Sequence, residues 1–408
     1  MREAAYIPWA DMDPALRAMM VYEQNDAFSV AQPQLVFDRL RRESPVVRWE
    51  AGVGFFAMDD IMAACRNRSI VSNHPDTGRP FGMGTREPLI PVHLDGLDHR
   101  RYRRLLEPLL SSAKVSPMEQ EIRKLADELI DGFAGDGRTE LFSAFCAPLP
   151  ATLFLNLFGL PLQDMTFLTE MKDRILENEG ADLAQREELG VEAGDRMRAR
   201  LHERLAERRR EPQARDDLIG RFMTFEVDGE RLADDEIVNI LHLFTIAALD
   251  TVTSALSCLF AWFAANPEQR RQVVADPSML PGAIDELMRF ESPVPAGGPR
   301  WAKEDTEVNG IPVKRGELVF LCWGSGNLDP TAFEDPLEPR LDRKISRHLG
   351  YAAGAHHCLG IHLARMELFV AIDQFHRRIP DYHVTPGEQP VFRLAGVRQA
   401  RHLPITFA

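Results

Sequence analysis

Apolar side chains recur three and four positions apart along most of the chain, the spacing that puts them on one face of an α-helix. This pattern predicts helices over residues 116–132, 141–160, 187–210, 285–290 and 359–375. Segment 187–210 is strongly charged, which is typical of a helix at the protein surface. The chain is therefore expected to be mainly α-helical.

The longest apolar run, residues 237–265, would be long enough to cross a bilayer at about 1.5 Å per residue. It contains Asn239, His242 and Asp250, and an ionisable group near the middle of a bilayer is costly. The run therefore predicts a helix buried through the centre of a large soluble protein.

Alternating apolar and polar positions, which indicate strands, are few and short. Residues 47–56 show them, residues 306–319 read as two strands, and two short segments lie at 382–384 and 404–406. No linker-like block and no fixed-period repeat divides the chain. We expect a single domain over residues 1–408, with small peripheral β-sheets beside the helices.

Charge and cysteine content narrow the class of protein. The chain of 408 residues has a net charge of -14, which argues against nucleic-acid binding. A local basic run at residues 99–104 suits an acidic protein partner, or is an ordinary solvated helix face. The five cysteines form no C-x-x-C pair, so neither disulfides nor a structural zinc site is indicated and a reducing cytoplasm is expected. The charged N-terminal residues argue against a signal peptide or membrane anchor.

Cys358 stands directly before the predicted helix at residues 359–375. A cysteine there meets unpaired backbone N–H groups and the positive end of the helix dipole, which favour the thiolate that binds metals. Gly354 and Gly360 flank it and would let a flat macrocycle approach the backbone. A buried structural cysteine and a nucleophilic Cys–His enzyme remain open, whereas zinc on His356, His357 and Cys358 is disfavoured because adjacent residues rarely converge on one ion.

Three further pairs fall at informative spacings. Within the apolar run, Asp250 must be hydrated or paired, and Thr251 can bond the carbonyl four residues back and open the helix locally. A polar pair facing a buried water is the ordinary alternative. Glu286 and Arg289, and likewise His99 and Arg103, lie one helical turn apart, so each pair shares a helix face.

Together these segments resemble the cytochrome P-450 family. Gly354-x-His356-x-Cys358-x-Gly360 resembles the haem-binding loop, in which the cysteine is the axial ligand of iron. Two departures are Tyr351, where the family usually has Phe, and Ala352, where it usually has Gly. The resemblance implies that Cys358 is the metal ligand.

The other pairs match further motifs of the family. Residues 247–251 resemble its A-G-x-D-T motif, with Ala248 in place of the usual Gly. The acid and alcohol of that motif, here Asp250 and Thr251, deliver protons during oxygen activation. Glu286 and Arg289 resemble its E-x-x-R pair, which ties a core helix to the segment before the haem loop. The resemblance suggests Arg343 as the third member, although Pro339 and Arg340 replace the family's Phe and Asp.

The resemblance also implies the cofactor contacts. His99 and Arg103 match the H-x-x-x-R motif that pairs with a haem propionate, and Arg300 and His356 are the remaining partners it suggests. The implied substrate pocket draws on residues 72–92, 167–182, 294–297 and 394–397 and on helix 237–265; the members singled out are Phe244, Ala248, Val294 and Ala296.

The implied protein is a triangular helical domain with haem b, iron protoporphyrin IX, between the helices of Asp250 and Cys358. Its implied activity is a cytoplasmic monooxygenase that inserts one oxygen atom of O2 into a small or medium hydrophobic substrate. Because the chain shows no flavin, nicotinamide or iron–sulfur motif, electrons are expected from a ferredoxin and its reductase, docking near Arg100, Arg104 and Lys344. A monomer is expected. A peroxide-dependent peroxygenase and a non-catalytic haem sensor remain open.

Overall fold

The computed structural model describes residues 4–20, 32–78, 82–177, 183–211, 215–227, 229–345 and 347–408. Two compact units emerge: the first comprises residues 1–70, 110–149 and 251–408, and the second comprises residues 71–109 and 150–250. A single domain over the whole chain therefore stays a prediction.

The helices within the described residues are α1 (Pro14–Met20), α2 (Gln34–Glu43), α3 (Met58–Arg66), α4 (Gly96–Leu106), α5 (Ser112–Val115), α6 (Glu119–Asp131), α7 (Pro148–Phe158), α8 (Met165–Leu176), α9 (Leu183–Arg210), α10 (Leu218–Phe222), α11 (Asp234–Ala265), α12 (Pro267–Ala275), α13 (Leu280–Glu291), α14 (Trp323–Gly326) and α15 (Ile361–Arg378).

The strands are β1 (Ala5–Tyr6), β2 (Val46–Trp49), β3 (Gly52–Phe55), β4 (Ile70–Val71), β5 (Arg138–Glu140), β6 (Glu226–Val227), β7 (Glu230–Arg231), β8 (Arg300–Ala302), β9 (Thr306–Val308), β10 (Ile311–Val313), β11 (Leu318–Leu321), β12 (Tyr382–Val384), β13 (Val391–Ala395), β14 (Val397–His402) and β15 (Pro404–Phe407).

The predicted helices are confirmed, with shifted ends. α9 begins at Leu183, four residues before the predicted start, and ends at Arg210 as predicted. The stretch 141–160 forms a π-helical turn, Phe142–Cys146, followed by α7. Pro148 has no backbone N–H, so it fits the first turn of a new helix better than the interior of a longer one.

The sheets of the first unit are small, as predicted. The largest has six strands in the order β1-β2-β3-β11-β8-β4. One strand prediction is wrong: residues 306–319 fall in three strands rather than two. β9 and β10 form a hairpin through Asn309 and Gly310, both with positive φ, whereas β11 pairs with β3 in parallel. That last pairing joins residues far apart in sequence, which local alternation does not report.

The apolar run is the helix α11, of 32 residues. Of the described helices it alone is long and apolar enough to cross a membrane, but 78% of its most apolar window is buried inside the protein. Its polar residues bind protein groups: Asn239 accepts a hydrogen bond from the amide of Ile90 at 2.6 Å, and His242 Nε2 lies 2.9 Å from the carbonyl oxygen of Met83. Burial lowers the pKa of His242 to about 4, so the imidazole is neutral. These contacts make α11 a buried core helix.

Candidate active site

The cysteine loop precedes α15. It contains two 3-10 turns, Leu349–Tyr351 and Gly354–His356, and the amide of Cys358 donates a hydrogen bond to the carbonyl oxygen of Tyr351 at 2.9 Å. α15 then starts at Ile361, with Gly360 as its N-cap. Cys358 is therefore held two residues before the N-cap of an 18-residue helix.

The other four cysteines are poor candidates for a thiolate. Cys146, Cys258 and Cys322 are fully buried, and burial raises the pKa of all three thiols, to about 12 for Cys258 and Cys322. Burial also raises the pKa of Cys65. Cys358 is only half-buried and lies beside a helix N-terminus, whose partial positive charge favours a metal-binding thiolate.

The two glycines of the loop serve different purposes. Gly354 has φ +71°, and a Cβ there would lie 2.3 Å from the carbonyl oxygen of Cys65, so the protein itself requires glycine. Gly360 has an ordinary φ of -88°, and a Cβ there would meet no protein atom within 4 Å. Because no protein contact explains this second glycine, the open backbone beside Cys358 fits the approach of a flat group such as haem.

Ala352 has φ +58° and ψ -169°, a backbone conformation that essentially only glycine adopts without strain. We predict that Ala352→Gly raises the free energy of unfolding by about 1 kcal/mol, because relief of strain exceeds the flexibility that glycine adds to the unfolded chain. Guanidinium unfolding of the two proteins under the same conditions measures the difference.

The neighbouring Ala353 is the matched control. Its φ of -149° is ordinary extended backbone, so Ala353→Gly should lower the free energy of unfolding, by about 0.5–1 kcal/mol. If both substitutions destabilise the protein equally, the conformation of Ala352 is not strained.

Tyr351, which replaces the usual Phe of the motif that this loop resembles, is buried. Its ring centroid lies 5.3 Å from that of His348, and the guanidinium of Arg365 lies 5.0 Å from the Tyr351 ring. Burial raises the pKa of Tyr351 further above its ordinary value. Arg365 also donates to both carboxylate oxygens of Asp285, at 3.1 and 2.9 Å, and thus links α15 to α13.

Glu286, Arg289 and Arg343 are brought together by the structure. Arg289 donates to both oxygens of Glu286 at 2.8 Å, and Arg343 Nε donates to Glu286 Oε1 at 3.0 Å. Arg343 also donates to the carbonyl oxygens of Glu334 and Glu338, at 2.7 and 3.0 Å. The fully buried carboxylate of Glu286 therefore anchors the segment that precedes the cysteine loop.

Asp250 forms an ion pair that the sequence does not reveal. Lys172 Nζ of α8 donates to Asp250 Oδ1 at 2.8 Å, and only 3% and 2% of the two residues are exposed. Lys172 also lies 2.5 Å from Asp173 Oδ1. The expectation that Asp250 must be hydrated or paired is thus confirmed, and Lys172 is a residue that sequence reasoning missed.

One face of α11 is accessible in the middle of this otherwise buried helix. Phe244, Ala248 and Thr251 are half-buried and Ala247 is exposed, whereas their helical neighbours are buried. Positions i, i+3, i+4 and i+7 share one face of a helix. The predicted pocket residues Phe244 and Ala248 therefore lie on the same face as Thr251, and the backbone stays helical through Asp250 and Thr251.

The four expected carboxylate-binding residues fall in both units. His99 and Arg103 lie on α4 of the second unit, where His99 is buried and Arg103 pairs with Glu107 at 2.8 Å. Arg300 begins β8 of the first unit, and His356 lies in the cysteine loop; both are half-buried. Arg103, Arg300 and His356 are therefore partly accessible to a group outside the protein, whereas His99 is buried.

The two remaining pocket residues differ in exposure. Val294 is half-buried. Ala296 is buried in a hydrophobic cluster that includes Phe320 and Leu394. Val294 therefore offers surface to a ligand, while the side chain of Ala296 contributes to the core.

Glu367 of α15 is 5% exposed, and among the described residues none donates a hydrogen bond to its Oε2. Burial raises its pKa from 4.5 to about 8. A raised pKa in the folded state means that the folded protein binds more protons, so stability falls as pH rises between these values. We predict that wild type loses about 3 kcal/mol relative to Glu367→Gln between pH 5 and pH 8, measured by denaturant unfolding. Parallel pH curves for the two proteins would contradict this.

A zinc site receives no support from the structure. Within the part of the chain that is described, no group of three or more His, Cys, Asp or Glu side chains is arranged to hold a metal ion. Cys358 as a lone protein ligand beside open backbone is the donor arrangement of thiolate-ligated haem.

Comparison with known proteins gives the family. A family model for cytochrome P450 matches residues 183–390. The cyclomarin C epoxidase CymV of Salinispora arenicola is 32% identical over 315 residues, covering 77% of this chain and 79% of that protein. The polyketide biosynthesis cytochrome P450 PksS of Bacillus subtilis is 27% identical over 395 residues, covering 92% and 96%.

Solved structures agree. The structure of PksS has a TM-score of 0.83 at 25% identity and covers 95% of this chain and 99% of that one. A mutant of P450 EryK in complex with erythromycin B also has a TM-score of 0.83, at 26% identity, covering 92% and 96%. The predicted family, fold class, haem b cofactor and enzyme class are confirmed: this chain belongs to the cytochrome P450 family of haem b monooxygenases.

Proposed function

We propose that this cytochrome P450 inserts one oxygen atom of O2 into a small or medium hydrophobic substrate, with the thiolate of Cys358 as the protein ligand of iron. The observation that carries the proposal is the half-buried Cys358 before α15. Gly360 lies beside it, and no contact within the protein requires a glycine there. When bound, haem b supplies the iron centre at which dioxygen is activated.

The chain's own residues would hold the haem in two ways. Cys358 would bind the iron through its sulfur, a thiolate ligand that would supply electron density to the haem. The cationic and imidazole side chains of His99, Arg103, Arg300 and His356 bind the propionate carboxylates through charge-assisted hydrogen bonds. Glu286, Arg289 and Arg343 position the segment before the loop rather than touch the cofactor.

Asp250 and Thr251 would deliver protons. A proton on Lys172 Nζ lies one hydrogen bond, 2.8 Å, from Asp250 Oδ1, so the buried carboxylate can take up a proton without direct contact with water. Thr251 follows Asp250 in the chain and lies on the accessible face of α11. Its hydroxyl can therefore pass a proton towards a ligand beside that face.

Apolar side chains support a hydrophobic substrate. Phe244, Ala248 and Val294 all offer partly accessible apolar surface. CymV is named for an epoxidation of cyclomarin C, and the EryK structure holds erythromycin B. A hydrophobic natural product of medium size is the substrate class that we propose.

We propose a ferredoxin and its reductase as the electron source, with Arg100, Arg104 and Lys344 as docking residues. All three side chains are exposed, and cationic side chains attract an acidic partner. We further propose a cytoplasmic monomer without a nucleic-acid partner; the net charge of -14 supports the absence of a nucleic-acid partner.

A compound screen tests the function. Substrates should shift the Soret band of the ferric protein from low spin to high spin, and each hit should then give an oxygenated product with NADH, ferredoxin and ferredoxin reductase. Product with peroxide alone would instead identify a peroxygenase. Haem and CO binding without product from any hit would identify a sensor.

A further inference from the structure

Arg398 of β14 is a fully buried cation that forms an ion pair with the fully buried Glu291. Only 1% of Arg398 and 3% of Glu291 is exposed, and Arg398 Nη1 donates to Glu291 Oε2 at 2.9 Å. The guanidinium also lies 3.8 Å from the centroid of the Phe392 ring on the paired strand β13. Glu291 is the last residue of α13, so the ion pair joins the β13–β14 hairpin to the end of that helix.

The backbone of Arg398 makes the same connection. Its amide donates to the carbonyl oxygen of Pro293 at 2.7 Å, and the thiol of Cys258 on α11 donates to its carbonyl oxygen at 3.2 Å. One residue of β14 thus binds α11, the end of α13 and the segment that follows α13, all within the first unit.

The segment after α13 is fixed on both sides of Val294. Besides the contact at Pro293, the carbonyl oxygen of Pro295 accepts from the amide of Gly324 at 2.9 Å. Val294 lies between these two anchored prolines and is half-buried. The hydrogen bond from the Arg398 amide is therefore one of the two that hold the backbone on either side of Val294.

Val397 precedes Arg398 on β14 and is also half-buried. Side chains alternate along a strand, so Val397 points to the face opposite the buried Arg398. Val397 and Val294 are each adjacent in sequence to one end of the hydrogen bond from the Arg398 amide to Pro293. Two half-exposed valines from separate segments are thus placed by one buried residue.

A buried ion pair is a costly way to fill a core, since apolar residues of similar volume are often as stable or more so. It does fix geometry, because an arginine fork and a carboxylate bind in few relative orientations. We propose that the Arg398–Glu291 pair is a positioning device that holds Val294 and Val397 as adjoining walls of the substrate pocket and so limits the size of the substrate. This inference rests on the proposed function.

Ligands of the ferric holoenzyme that bind iron through nitrogen measure the pocket without turnover. Imidazole reports access to the iron, whereas 4-phenylimidazole must also fit its ring into the pocket. In Arg398→Lys and in the double variant Arg398→Met/Glu291→Met, the ratio of the two dissociation constants should change at least about fivefold, with the imidazole constant within about twofold of wild type. The double variant leaves no unpaired buried charge, so it keeps the test open if the lysine variant does not fold.

Two kinds of control variant test whether the Arg398–Glu291 pair acts by positioning the two valines. Arg393→Met removes an exposed arginine from the same hairpin and should leave the ratio unchanged. Val294→Ala and Val397→Ala keep the ion pair and should each change the ratio. Both variants should fold, because the two valines are only half-buried. A ratio within about twofold of wild type in the double variant, or in both valine variants, overturns the inference. If the wild-type protein does not bind haem through a thiolate, the proposed function itself is wrong, so the two failures are distinguishable.

Discussion

Replacing Cys358 by serine should reduce product formation to the background of the haem-free assay, even where the variant retains haem. Cys358 is the half-buried cysteine beside the N-terminus of α15, and a serine hydroxyl neither ionises readily nor donates electron density as a thiolate does. The measurement is product formed per bound haem from any substrate found in the screen, with ferredoxin and its reductase present.

Cys65→Ser is the matched control. Cys65 is the other cysteine that is not fully buried, and its carbonyl oxygen faces Gly354 of the same loop. The serine variant keeps that backbone contact and should retain product formation within a few-fold of wild type. Comparable losses in the two variants would show that the loop, rather than the sulfur of Cys358, determines activity.

Replacing Asp250 by asparagine should lower product formation by on the order of 100-fold, because an amide cannot take up and release a proton. The fold should survive, since Lys172 keeps the carboxylate of Asp173 at 2.5 Å as its partner. Substrate binding, followed by the spin-state shift of the ferric protein, should change little. Turnover and the shift are measured on the same preparation.

Asp173→Asn separates proton delivery from the ion pair. It removes the other carboxylate of Lys172 and leaves Asp250 paired at 2.8 Å. Turnover should stay within a few-fold of wild type. An equal loss in both variants would assign the effect to the environment of Lys172 instead of to the acid at position 250.

Much of the site could be predicted because its motifs are local. The cysteine, its glycines and the following helix lie within one short segment, and Glu286 and Arg289 are three residues apart on one helix. The partners that complete these motifs lie far away: Arg343 is 57 residues from Glu286, and Lys172 is 78 residues from Asp250. Helical periodicity carries no information at such separations. Only the resemblance suggested Arg343, and nothing suggested Lys172 as the partner of Asp250.

Strands were predicted less well than helices. The β13–β14 hairpin escaped notice because Arg398 and Gln399 are polar but buried, which breaks the alternation of buried apolar and exposed polar residues. The resemblance indicates that Ala352 stands where the family usually has glycine, but only the structure shows that its φ is +58° and that the cost is backbone strain.

The absorption spectrum of the reduced holoenzyme with CO tests the central claim most directly. The account predicts the strongly red-shifted Soret band of thiolate-ligated haem, and its loss in Cys358→Ser but not in Cys65→Ser. A band in wild type at the position typical of histidine-ligated haem would contradict the assignment of Cys358 as the iron ligand.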